Sequence, residues 1–164
     1  MTTLVPALAE VQEWDAAVQS LWDHGVEFLL HRSGQPPAAP RDWRQEVTVT
    51  CKCAECRELQ AFALNPTEQV HRFRTRQERR NHLANQILRD HLDMTHVTDR
   101  QGSPQTLVCT KDRRSYQRRC EEYRRDIAAL GSLAESAGKL PERDAGVLER
   151  IAAARERAGQ WVPE

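Results

Sequence analysis

Apolar residues recur every three or four positions at Leu8, Val11, Trp14, Val18 and Leu21, and the stripe resumes at Phe28 and Leu29. That period predicts one long helix over residues 6–32, opened by Pro6, which suits a first helical turn because it has no N–H to leave unpaired. Gly25 is a point at which this helix can bend or stop early. The following SGQPPAAP stretch, Ser33 to Pro40, carries three prolines and reads as an extended connector. The period then changes. In Glu46–Cys51 (EVTVTC), Val47, Val49 and Cys51 alternate with polar residues, as on a half-buried strand.

Beyond Cys56, ELQAFAL reads as a short helical turn stopped at Asn65-Pro66, and Gln69–Arg74 (QVHRFR) as a second short strand. Residues 76–92 predict a helix with Leu83, Ala84, Ile87, Leu88 and His91 on one face. Thr95–Arg100 and Thr106–Lys111 are β-favouring runs around Gln101-Gly102-Ser103-Pro104, a hairpin with a longer loop, in which Gly102 can supply a positive φ. From Asp112 to about Ala137 a further helix carries the stripe Tyr116, Cys120, Tyr123, Ile127 and Leu130. The tail after Pro141 has only Val147, Leu148 and Ile151 as apolar anchors, a helix that is marginal without a partner. The expected class is α+β: a long N-terminal helix, small antiparallel β elements with a zinc knuckle, a central helix and a long C-terminal helix. It divides as an N-terminal helix and connector over 1–40, a knuckle-bearing core over 41–137 and a marginally ordered tail over 138–164.

Length and composition narrow the setting. A chain of 164 residues can bury a real core without disulfides, and 29% charged with 5% aromatic residues implies a modest core under long solvated helical faces. No run approaches the roughly 18 apolar residues of a membrane helix, and the N-terminus lacks a charged-then-apolar signal pattern, so a soluble chain of the cytoplasm or nucleus is expected. Three of the five cysteines fall within Cys51–Cys56, and the odd total argues for reduced thiols at a metal rather than a secreted disulfide framework.

That knuckle, Cys51-Lys52-Cys53-Ala54-Glu55-Cys56, is the strongest chemical signal. One intervening residue puts the sulfurs of Cys51 and Cys53 on the same face of an extended chain, and the two-residue gap lets a turn swing Cys56 back beside them. Three thiolates then converge on one ion, and Zn2+, which prefers four soft or borderline ligands in a tetrahedron, is the natural structural cofactor. The fourth ligand must come from elsewhere: His71, His82, His91, His96 and Cys109 are the candidates. Cys109, on a strand, and Cys120, on a helical stripe, read more simply as small hydrophobes.

The order CKCAEC, HRF, ERRNHL and THVTDRQGSPQTLVCTK, followed by a Tyr-bearing basic helix, resembles the Cys/His module at the C-terminal end of large, mostly fungal proteins. Those proteins carry a prolyl-4-hydroxylase-like 2-oxoglutarate/Fe(II) oxygenase domain upstream. The likeness covers roughly residues 10–130 and includes the connector ending in Pro40-Arg41-Asp42-Trp43. It implies His82, after Arg79 and Arg80, as the fourth ligand, with His96 behind it. The oxygenase chemistry does not come with it: His91-Leu92-Asp93 matches half of a facial triad, yet only His96 follows and no barrel surrounds it.

The net charge is zero, but residues 71–125 hold 14 Lys+Arg against 7 Asp+Glu, a surplus of +7 that the other residues cancel with 10 against 17. Arg72, Arg74, Arg76, Arg79 and Arg80 precede and open one helix; Lys111, Arg113, Arg114, Arg118 and Arg119 do the same for another. Cations at a helix N-terminus oppose the macrodipole, so they call for an anionic partner or for acidic neighbours within the protein. The first alternative gives a binding module that contacts nucleic acid or an acidic protein surface through Arg72, Arg74, Arg76, Arg79, Arg80, Arg100, Lys111, Arg113 and Arg114. The second pairs the block with the acidic first helix (Glu10, Glu13, Asp15, Asp23, Glu27) and leaves a protein-interaction or accessory subunit, for example of a separate oxygenase, with Trp14, Trp22 and the tail as contacts. Catalysis is disfavoured: there is no Gly-rich phosphate loop, no G-x-S-x-G, no H-E-x-x-H and no deaminase-type H-x-E with P-C-x-x-C.

Overall fold

The computed structural model describes residues 15–139 and 145–163. The first part of the expected N-terminal helix, with Pro6, Leu8, Val11 and Trp14, lies outside the described residues, as does Pro141. The chain divides into two units, one formed by Pro40–Tyr116 and the other by the residues up to Ala39 together with Gln117–Glu164. The second cut therefore falls at Tyr116, ahead of residue 137, because the residues of the long C-terminal helix from Gln117 onward share a core with the N-terminal helix.

In the second of these units, α1 (Ala16–Arg32) is N-capped by Asp15, whose carboxylate accepts from the Ala17 and Val18 amides at 3.0 and 2.9 Å. Gly25 neither bends nor ends it; the helix runs on to Arg32 with Gly25 buried beside Trp22, Val26 and Leu29. The stripe expected on α4 (Arg114–Ser136) is realised at Cys120, Tyr123 and Leu130, all buried. A 3-10 turn (Ala137–Lys139) follows, and then α5 (Ala145–Gln160). Trp22, Leu29, Leu130, Leu133, Ile151 and Ala154 form one apolar cluster, and the Trp22 indole N–H donates to the Leu133 carbonyl at 3.1 Å. Arg32 clasps the buried Asp126, with its Nε 2.6 Å from the carboxylate.

The Pro40–Tyr116 unit is built on a three-stranded antiparallel sheet of β1 (Val70–Arg74), β2 (Met94–Asp99) and β3 (Thr106–Lys111), in the order β1-β3-β2. Register pairs Phe73 with Leu107 and Met94 with Lys111, which gathers Phe73, Leu107, Cys109 and Met94 on one face. Helices α2 (Ala54–Leu64) and α3 (Gln77–Arg89) supply Leu59, Phe62, Leu83 and Ile87 to the same core. The opposite face leaves Val70 and Val97 exposed. The β2–β3 loop is the expected hairpin connection, with Gly102 at φ 79°.

Two expectations change here. Glu46–Cys51 is not a strand. Val49 does point into the core, but its amide donates to the Gln60 side chain at 2.6 Å and the Val47 carbonyl accepts from the same side chain at 2.8 Å. A glutamine on α2 thus occupies the place of a partner strand. The helix expected to Leu92 stops at Arg89, with Asp90 as C-cap and His91 in the left-handed region (φ 54°). Leu92 N–H bonds to the Ile87 carbonyl at 3.0 Å and His91 N–H to Leu88 at 3.3 Å, the Schellman arrangement, with buried Leu92 and Ile87 supplying its apolar contact. His91 and Leu88 are exposed rather than part of the apolar face.

Candidate metal centre

Cys53 is the N-cap of α2 and Cys56 lies in its first turn, so the two-residue gap becomes one helical turn. Cys51 precedes them outside any helix or strand. His82 stands in the second turn of α3. The structure brings these four together: the three sulfurs and one imidazole nitrogen all lie within 4.8 Å of one another, an arrangement able to hold a metal ion. His82 Nε2 is 3.7 Å from Cys53 Sγ and 3.2 Å from Cys56 Sγ. Cys56 is buried and the other three are half-buried. Arg79, one turn before His82, meets Glu55 at 3.6 Å and links the opening turns of α2 and α3 beside the cluster.

The electrostatics of the thiols are unequal. The Cys53 backbone N–H, and after it the His82 side chain, pull the Cys51 thiol down to about 7. Burial, and after it the neighbouring Cys53 and Cys51 thiols, push Cys56 up to about 12. Three sulfurs this close cannot all ionise in the absence of a cation, because like charges at contact disfavour each other. A divalent ion held at their centre would remove that conflict and take them as thiolates.

The other candidates for the fourth position lie apart from this cluster. His71 is held between Glu68 (2.6 Å from Nδ1) and Glu58 (2.9 Å from Nε2), with its ring stacked on Phe62. His91 is the exposed C-terminal residue of the helix cap. His96 sits on β2 in register with Cys109. Cys109 is buried, and burial pushes its thiol up to about 12; Cys120 is buried as well. Both behave as the small hydrophobes expected of them.

Two of the basic residues expected at an anion-binding surface, Lys111 and Arg80, are buried instead. Lys111 is 1% exposed, donates to the Asn65 carbonyl at 2.6 Å and lies 4.6 Å over the Phe62 ring. Arg80 is 7% exposed and donates to the Thr75 carbonyl and the Gln105 side chain. Both are spent on bonds inside their own unit. Arg72 pairs with Asp99 at 2.5 Å, and Arg114 with Asp112 at 2.8 Å. Arg113 lies over the Trp43 ring, and Arg74 donates to the Ser103 carbonyl in the hairpin loop. Arg76 and Arg100 are exposed. The carboxylates paired with these arginines belong to the same unit, while Glu27 of α1 pairs with Arg150.

Sequence reasoning overlooked the glutamines. Gln60 fastens residues 47 and 49, and Gln45 bonds through its side chain to both the amide and the carbonyl of Asp93. Neither has a signature, since a glutamine on a helix or in a linker reads as solvated until its partner is known. Among the described residues no helix is long and apolar enough to cross a membrane. In comparison with known proteins, the chain matches no family model, no curated protein and no solved structure, so the chemistry of the site rests on its own residues.

Proposed function

We propose that this chain is a non-catalytic binding module stapled by a structural Zn2+ held by Cys51, Cys53, Cys56 and His82. The observation that carries the reading is the convergence of three sulfurs and one imidazole nitrogen within 4.8 Å. Zinc binds sulfur at about 2.3 Å and histidine nitrogen at about 2.0 Å, so neighbouring ligand atoms of a tetrahedral site stand roughly 3.5–3.8 Å apart. The 3.7 and 3.2 Å separations from His82 are close to that edge. Four protein ligands fill the shell and leave no open position for a reacting water, which favours a structural role over a hydrolytic one. Elemental analysis of protein purified without added metal tests this: one zinc per chain is expected, and a metal-free, fully folded protein overturns it.

The charge surplus supports an anionic partner, a nucleic-acid backbone or an acidic protein, contacted through the exposed Arg74, Arg76 and Arg100. Affinity for nucleic acid then falls with salt at a log–log slope of about −0.9 per phosphate contacted on duplex DNA, and absence of binding to single and double strands at about 50 mM salt removes the nucleic-acid reading. A second reading, a protein-interaction or accessory subunit such as the oxygenase resemblance implies, is favoured by one observation. Arg72, Arg79 and Arg114 already pair with Asp99, Glu55 and Asp112, so part of the basic block is neutralised within its own unit.

A further inference from the structure

Thr50, the residue before Cys51, is exposed yet densely hydrogen-bonded. Its amide donates to Asp90 Oδ2 at 2.9 Å and its hydroxyl to Asp90 Oδ1 at 3.0 Å. The same hydroxyl oxygen accepts from Gln86 Nε2 at 2.7 Å and from Arg89 Nη2 at 2.6 Å. Gln86 also donates to Asp90, which closes the ring. Gln86 is 2% exposed and the Asp90 side chain 4%, so these two partners are withdrawn from water, where hydrogen bonds are hardest to replace, while the Arg89 side chain is 65% exposed.

All three partners sit on the last turn of α3 or its C-cap, eight residues or fewer beyond His82 on the same helix. One helix therefore holds the ligand set at two points: directly through His82, and indirectly through the backbone that delivers Cys51. The second hold matters because residues 46–51 belong to no sheet. Their placement depends on side-chain bonds, from Gln60 at Val47 and Val49 and from this ring at Thr50.

We propose that the Thr50–Asp90–Gln86 ring is a positioning device for the metal centre, with Thr50 and Asp90 fixing Cys51 relative to His82 so that the ligands are arranged before the ion arrives. The inference rests on the zinc reading above. Bonds that orient ligands from outside the coordination shell are typically worth 10- to 100-fold in metal affinity, and an arranged ligand set loses less chain freedom on binding.

The test is a Co2+ titration of the full chain, followed by Zn2+ competition, for the unmodified protein and for Thr50→Val, Thr50→Ser and Asp90→Asn. Val keeps the shape and the amide but deletes the hydroxyl; Ser restores it. The unmodified protein is expected to give the visible bands of tetrahedral, thiolate-bound Co2+. Thr50→Val is expected to bind about 10- to 100-fold more weakly with altered bands, Thr50→Ser to recover both, and Asp90→Asn to weaken binding in the same direction. Affinity within twofold of the unmodified protein and identical bands in Thr50→Val overturn the inference, even if that variant melts lower, because the ring is then only a helix cap. Should Thr50→Val fail to fold, Asp90→Asn decides by the same criterion. No Co2+ uptake by the unmodified protein is a different failure: it removes the metal reading, and the positioning role with it.

Discussion

His91 occupies the left-handed position that ends α3, where a β-carbon crowds the backbone and glycine does not. Because its side chain is exposed and the Schellman bonds are backbone bonds, His91→Gly is expected to raise stability by about 1 kcal/mol, read as a shift in the denaturant midpoint at unchanged slope. His71 behaves differently. Burial depresses its pKa, but the hydrogen bonds to Glu58 and Glu68 outweigh that and hold it above its ordinary value. The fold therefore favours protonated His71. Its contribution is complete below the unfolded pKa of about 6.5 and is lost as pH rises through the higher folded value. Urea unfolding from about pH 6 to pH 8 is expected to show stability falling, and His71→Gln to flatten that component; an unchanged slope in the variant would place the pH dependence elsewhere.

At the scale of elements, the sharpest test is the segment that looks like a strand and is not. Gln60→Ala leaves the Val49 amide and the Val47 carbonyl without their partner, so a loss of about 2 kcal/mol and faster hydrogen exchange at Val49 are expected. Why β1, β3 and the hairpin were legible while this segment misled has a physical basis. Alternation reports which side of the chain is buried, and Val49 is indeed buried. It does not report what satisfies the backbone, and here a side chain from α2 does so. The boundary of α3 differs for a related reason: the apolar period runs on through His91, but the chain leaves the helix in a left-handed residue that is neither Gly nor Asn. In α5, whose three apolar anchors predict a helix that is marginal without a partner, Ile151 and Ala154 are buried with Trp22 and Leu133, which supply that partner.

For the molecule as a whole, each unit has its own apolar cluster, one around Phe62 and Leu83 and the other around Trp22 and Leu130. On the proposed zinc reading, Cys53→Ser is expected to cost several kcal/mol in urea unfolding, because the binding energy of a structural zinc is folding energy; an unchanged midpoint would remove Cys53 from the ligand set. A chelator is expected to strip exchange protection from Leu59 and Leu83 while Val26 and Ile151 keep theirs; equal loss in both clusters would show the units to be one cooperative body. Net charge shows how little a whole-chain sum determines. The +7 block is real in sequence, yet Lys111 and Arg80 are buried and Arg72, Arg79 and Arg114 are paired. The α+β class, the sheet strands and the three neighbouring cysteines are legible from residue order, since periodicity and short spacings are local properties. Only the tertiary structure decided that His82, and neither His71, His91 nor His96, stands beside them, and that Thr50 is tied to Asp90 across 40 residues of chain. Those are long-range proximities, fixed by how α2 and α3 pack on one sheet face, and no local pattern encodes them.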